Sequence, residues 1–321
     1  MLGAGSISID TATRMPDCLR QNIAQTPPEA PKTTMPSNPP SERPPALFDR
    51  ALMARRLSGR KERADFVTDL VVADLKDRLA PIQRTFSKPA LLAPDADAIP
   101  ASVLAELGVI AVGRFSTLIA SSAGGLVDPE ALVLPETDYD LIISLLDLQV
   151  VNDVPGYLSR LRRHLRPDGL LLAAALGGRT LAQLRSAWLE ADVATFGGAF
   201  ARIAPFMDVR DAGALLQRAG FALPVADAEH HVVRYADPLA LMREIKVLGG
   251  ANPMMDKPRQ LVTASHLARA IAAYPRDTDG RIGASLEVIW MSGWAPDDSQ
   301  PKPLRPGSAK VNLASVLKTR D

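Results

Sequence analysis

Phe66, Leu70, Ala73 and Ala80 fall roughly on one helical face that Asp77 shares, with Leu75 and Leu79 beside it, so the spacing predicts a helix over 62–80. The pattern then changes to short, nearly unbroken apolar runs. Residues 90–93, 109–112, 141–146 and 170–176 have strand length and no polar face, as strands buried on both sides do. Stretches of helical character at 99–106, 115–122 and 154–165 separate them. Such alternation implies right-handed crossovers and a doubly wound, mostly parallel α/β sheet. Asn152 or Asp153 can cap the helix at 154, with Pro155 in its first turn. Further on, 180–193 and 208–219 read as helices, the second capped by Asp208 or Asp211 and ended by Gly220. A strand at 229–235, helices at 238–248 and 264–273, and a last strand at 286–294 complete the pattern, without internal repeats.

Composition adds boundaries. Residues 1 to about 45 hold nine of the 27 prolines, which predicts a disordered tail or a start codon further on, for instance at Met35. The domain is expected over 46–295, with a proline-bearing extended arm over 296–321. Net charge is +1, so no electrostatic footprint for nucleic acid is present. No apolar run is long enough to span a membrane, and the N-terminus lacks a secretory signal. Asp10 and Asp17 argue against a mitochondrial transit peptide, and the one cysteine, Cys18, points to a reducing compartment. The histidines (His164, His230, His231 and His266) show no metal spacing, and adjacent His230 and His231 point to opposite faces of a strand; no metal is expected.

Two segments carry a resemblance. Residues 127–142 contain Val127-Asp128-Pro129-Glu130 and Tyr139-Asp140-Leu141-Ile142, and Leu165-Arg166-Pro167-Asp168-Gly169 follows a helix later. Together they resemble the second half of the nucleotide fold of class I S-adenosylmethionine-dependent methyltransferases. The segments 145–153, 176–181, 203–206, 218–221 and 242–250 are similar to one branch of that superfamily. It includes a mitochondrial respiratory complex I assembly factor described as an arginine hydroxylase, and the biotin-pathway malonyl-carrier-protein methyltransferase. Arg305-Pro306-Gly307-Ser308-Ala309-Lys310-Val311 favours the assembly-factor side, and the resemblance covers about residues 48–312. It implies a seven-stranded Rossmann-like sheet with a helical cap, an antiparallel strand among the last two, and S-adenosylmethionine as cofactor. It also implies methyl transfer to, or arginine modification of, a protein client such as a respiratory-chain subunit. The compartment would be the cytoplasm of a bacterium or a eukaryote's mitochondrial matrix.

The first half departs from the family. Its loop after strand one is glycine-rich, which lets the backbone approach the ligand; here Pro94, Ala96 and Ala98 stand at those positions and Leu92 replaces an expected acid. The second strand should end in a ribose-binding acid but reads Val112-Gly113-Arg114, with Asp95 or Asp97 able to substitute from the neighbouring loop. Asp128 matches the carboxylate that accepts from the adenine amino group, or is simply a turn residue; the next residue, Pro129, has no N–H for the ring. Asp147 and Gln149 follow the fourth strand, where open sheets bind ligands, and are the expected cleft floor. Arg179, Arg185, Arg202 and Arg210 form an anionic-partner patch or a solvated face, and the catalytic residues are not identifiable. Two functions are consistent with this: an enzyme using the cofactor through an altered loop, and a non-catalytic scaffold that binds a client.

Overall fold

The computed structural model describes residues 46–61, 65–106, 112–122, 124–258 and 260–301. The predicted tail, the Arg305–Val311 motif and most of the predicted arm lie outside the described residues.

In chain order the elements are α1 (Arg50–Ser58), α2 (Phe66–Leu79), β1 (Pro89–Ala93), α3 (Ala101–Glu106), β2 (Gly113–Ser116), β3 (Gly125–Leu126), β4 (Tyr139–Leu145), α4 (Val154–His164) and β5 (Leu165–Leu176). Then come α5 (Ala182–Phe196), α6 (Val209–Arg218), β6 (Ala222–Tyr235), α7 (Pro238–Val247), α8 (Ala264–Ala273) and β7 (Ile282–Trp294). One seven-stranded sheet runs β3-β2-β1-β4-β5-β7-β6. The first five strands are mutually parallel, and β7 inserts antiparallel between β5 and β6. The expected doubly wound, mostly parallel sheet is therefore present, with its antiparallel strand near the far edge.

Side-chain alternation makes two cores from one sheet. Leu92, Ile142 and Leu171 point to the side covered by α4 and α6, where they meet Leu158, Leu161 and Leu216. Leu91, Leu141, Ile143 and Leu172 point the other way and pack on Val71, Leu75 and Leu79 of α2. A smaller cluster of Leu184, Ala187, Leu241, Tyr274 and Ile282 joins α5, α7 and the end of α8 to β7, which is the helical cap.

Caps follow the sequence closely. Asp65 accepts from Thr68 N, so α2 starts at Phe66; Asp153, not Asn152, accepts from Gly156 N; Asp208 caps α6. Asn152 instead accepts from the backbone N–H groups of Leu47 and Phe48 and anchors the start of the described chain.

Two local expectations are corrected. The second strand lies at Gly113–Ser116 rather than at 109–112, of which 109–111 are outside the described residues. The apolar run misled because buried Ser116 counts as polar, yet its hydroxyl is satisfied by Ala96 N. Residues 117–122 are irregular, not helical. Near the start of β5 Asp168 takes positive φ, at 58°. Gly169 is required by close approach: a Cβ there would lie 2.9 Å from Tyr139 O.

Candidate functional site

The carboxyl ends of β1, β4 and β5 open onto a cavity of about 230 Å³. Its wall is mostly apolar: Ala93 and Pro94 at the end of β1, Leu145 and Leu146 at the end of β4, Leu176 ending β5 and Leu181 beyond it, with Leu57 of α1 and Phe66 of α2. A second space of about 250 Å³ shares Gln149, Leu181 and Phe206 with it and reaches Trp188, Arg202 and Met242 of the cap region. Leu146 and Leu181 both have left-handed backbones, φ 59° and 56°. A bulky side chain there costs about 1–3 kcal/mol; of the non-glycine residues with positive φ among those described, these two line the cavity, while Asp168 and Leu223 lie elsewhere.

The first loop is closed on itself. Asp95 caps a short 3-10 turn over Ala96–Ala98, accepting from Asp97 N. Ala96 N donates to Ser116 Oγ at 2.9 Å. Arg114 reaches across from β2 and donates to the carbonyls of Ala96 and Ile99. Asp97 accepts from Ser121 Oγ at 2.5 Å and from Ser122 N at 2.8 Å. The backbone groups that would greet a ligand at Ala96 are thus occupied from within the protein. Arg114 is a brace for this loop, and its place at the strand end belongs to Ser116 and Thr117, because β2 runs three residues beyond Gly113. No carboxylate stands there. Thr117 Oγ1 is buried without a hydrogen-bond partner among the described residues.

Arg50 also belongs to this region. Its guanidinium bridges the ends of β2 and β4, donating to Thr117 O and, at 3.1 Å, to Val150 O. Burial lowers its pKa, opposed by the charges of Asp128, Asp147 and Glu130. A lone arginine at the start of a helix gave no signal; only the folded path of the chain brings it here.

The three sequence-predicted site residues separate. Asp128 is exposed and accepts from Glu130 N at 3.0 Å, the turn role, while Pro129 is buried. Asp147, expected at the cleft floor, is 0% exposed and is not among the residues that line the cavity. Its carboxylate accepts from Ser144 Oγ at 2.6 Å and Tyr157 Oη at 2.5 Å, which turns it into the core. Desolvation raises its pKa against those two hydrogen bonds. Gln149 does face the cleft. It donates to Leu146 O at 2.5 Å, and its Oε1 is buried without a hydrogen-bond partner among the described residues.

Other candidates resolve into structure. Arg202 grips fully buried Asp192 at 2.6 Å and lies 4.9 Å from the Trp188 ring centre, and His266 Nε2 stands 3.0 Å from the same carboxylate. Arg185 donates to the carbonyls of Gly178 and Thr180. Only Arg179 and Arg210 of the proposed patch remain exposed. His164 is held between Leu134 N and Glu136 O, with a pKa lowered by burial. Among the described residues no helix is long and apolar enough to cross a membrane.

No family profile matches the chain. The mitochondrial arginine-hydroxylase NDUFAF5 of Danio rerio is 31% identical over 293 residues, 85% of this chain and 90% of that protein. The Mus musculus protein of the same name is 32% identical over 307 residues, covering 89% and 88%. A malonyl-[acyl-carrier protein] O-methyltransferase of Halorhodospira halophila is 34% identical over 196 residues, 60% of this chain and 64% of the other. Among solved structures, a putative methyltransferase from Bacillus halodurans overlaps 70% of this chain and 99% of its own, at 12% identity and a TM-score of 0.46. With the two NDUFAF5 relatives similar over about nine tenths of their own length, and the O-methyltransferase over 64% of its, the chain belongs to the NDUFAF5 arginine-hydroxylase family, within the class I S-adenosylmethionine-dependent methyltransferase superfamily.

Proposed function

We propose that this chain holds S-adenosylmethionine weakly and uses its apolar cleft as a docking scaffold for a protein client, of the respiratory complex I assembly type that the family resemblance implies. One observation carries the reading: Ala96, at a glycine position of the family's loop, has its N–H taken by Ser116 and its carbonyl taken by Arg114. A ligand would have to displace both. The β2 end adds Thr117 where the family has a ribose-binding acid, and Pro129 has no N–H for an adenine ring. Two missing hydrogen bonds of about 1–2 kcal/mol each, with side chains in the ligand's space, weaken binding by a factor on the order of a hundred. The residues present therefore fit the cofactor poorly, and no methyl-transfer step is derived through it. The client's compartment would be a bacterial cytoplasm or a mitochondrial matrix.

A second reading, an active enzyme with a rebuilt loop, draws on Asp95, a carboxylate on the cavity wall, and on exposed Asp128. Calorimetric titration with S-adenosylmethionine separates the two. The scaffold reading expects no saturation below about a millimolar. A dissociation constant of a few micromolar, abolished by Asp128→Ala, would establish the enzyme instead.

A further inference from the structure

Below the cavity, α2 and β6 bring together groups that the function above does not use. Asp227, Glu229 and His231 alternate along β6, and a period of two sends all three to one face. Asp74 and Arg78 lie about one turn apart on α2 and meet them there. Asp74, Glu229 and His231 each offer one ligand atom, all within 4.8 Å of one another.

The charges do not balance. Arg78 donates to both oxygens of Asp227, at 2.8 and 2.6 Å, and to Glu229 Oε1 at 2.5 Å. That leaves Glu229 Oε2 beside His231 Nε2, 3.9 Å away. Asp74 Oδ2 and His231 Nε2 are both shut off from solvent, and neither has a hydrogen-bond partner among the described residues. Three carboxylates face one guanidinium, so ionised they carry an excess of two negative charges.

We propose that Asp74, Glu229 and His231 bind a first-row divalent cation, zinc being the best match, and that the ion pins α2 to β6. One imidazole nitrogen with two carboxylate oxygens suits zinc better than magnesium or calcium, which take oxygen alone. Zinc bonds of about 2.0–2.2 Å put tetrahedral ligands roughly 3.4 Å apart, so shifts of about an ångström at the side-chain tips close the site. Arg78 keeps Glu229 oriented by holding Oε1, leaving Oε2 to the ion. Val71, a turn before Asp74, and Val233, two residues after His231, both line the cavity, so the ion fixes the cavity wall. Histidine spacing alone could not reveal this site, because it takes one histidine from a strand and a carboxylate from a distant helix.

The test uses the full chain, stripped of metal by chelation and titrated with Zn²⁺ in a calorimeter, with thermal melts in parallel. The expected result is one ion per chain with a dissociation constant of about a micromolar or tighter, and a melting temperature that rises with added zinc. Asp74→Asn and His231→Gln, each checked for folding by circular dichroism, should weaken binding at least about tenfold. His230→Gln, on the opposite face, should leave it unchanged. Co²⁺ in place of zinc should give visible absorption that His231→Gln abolishes. No binding by the wild type, or equal affinity in wild type and His231→Gln, overturns the proposal. So does a gain in melting temperature for Asp74→Asn without zinc binding, which would mean that Asp74 and Glu229 share a proton instead.

Discussion

The two halves of the sheet end differently. At the carboxyl ends of β1 and β2 the polar groups turn inward: Ala96 to Ser116, Arg114 to Ala96 and Ile99, Asp97 to Ser121 and Ser122. At the ends of β4 and β5 the backbone is strained at Leu146 and Leu181, and Gln149 Oε1 has no hydrogen-bond partner among the described residues. The strands beneath are alike: Leu91, Leu92, Ile142 and Ile143 are all 0% exposed. The buried strands thus set the sheet order, while the strand ends are free to diverge. Backbone strain persists only where surrounding structure over-determines it; at the cavity it falls on the β4 and β5 side, at Leu146 and Leu181, while each side keeps a buried polar atom without a hydrogen-bond partner among the described residues, Thr117 Oγ1 on one and Gln149 Oε1 on the other.

The comparison breaks most visibly at Asp147, which belongs to the β4 end yet is buried. Asp147→Ala leaves the hydroxyls of Ser144 and Tyr157 without their acceptor. Each buried orphan costs about 1–3 kcal/mol, for a total of about 2–6 kcal/mol. At about 2–4 °C per kcal/mol for a domain of this size, the melting temperature should fall by roughly 4–24 °C, read by calorimetry. A loss under about 1 kcal/mol would return Asp147 to the cleft floor.

The next effect sharpens the contrast by making the first half resemble the family. Pro94→Gly, Ala96→Gly and Ala98→Gly, combined with Thr117→Asp, remove the side chains from the loop and supply an acid at the β2 end. Affinity for S-adenosylmethionine should rise at least about tenfold, or about 1.4 kcal/mol, at some cost in stability from the added glycines. An unchanged affinity, with the variant folded, would show that the loop does not limit binding.

How much of this was legible depends on whether the signal was local. The runs at 90–93, 141–146 and 170–176 marked their strands because burial on both faces leaves no polar position within reach of water. Asp153 and Asp208 were readable as caps because a cap is a contact within three residues. The second strand was displaced because Ser116 is buried, polar and satisfied across the sheet, which periodicity cannot weigh. Asp147 fell at the expected end of β4, but which way its side chain turns depends on Tyr157, a turn into the next helix. Arg50 was invisible for the same reason at longer range: its partners are the carbonyls of Thr117 and Val150.

A smaller effect is read in pH. Burial raises the folded pKa of Asp147 above its ordinary value of 3.8. A group shifted this way stabilises the fold fully below the unfolded value, and that contribution is lost as pH rises through the folded pKa. Asp147→Asn removes the titration. The stability advantage of wild type over Asp147→Asn, from urea unfolding at a series of pH values, should therefore be largest near pH 3.8 and shrink toward neutrality. A gap that widens with pH would show that the Ser144 and Tyr157 hydrogen bonds and the Arg50 charge outweigh desolvation.

The smallest expected effect on stability is at Asp128. Its side chain is exposed and caps only a single 3-10 turn. Asp128→Ala should cost about 0.5 kcal/mol, the low end for a lost cap, visible as a shift of a degree or so in the melting temperature. Binding gives the more telling readout. In the wild type the same change should leave client capture intact, since Asp128 does not line the apolar wall. In the glycine-restored variant it should lower S-adenosylmethionine affinity about tenfold, the effect of one charge-assisted hydrogen bond to an adenine amino group. If affinity there is indifferent to Asp128, the carboxylate is a turn residue and nothing more, and the second half of the sheet keeps the family's sequence pattern without its adenine contact.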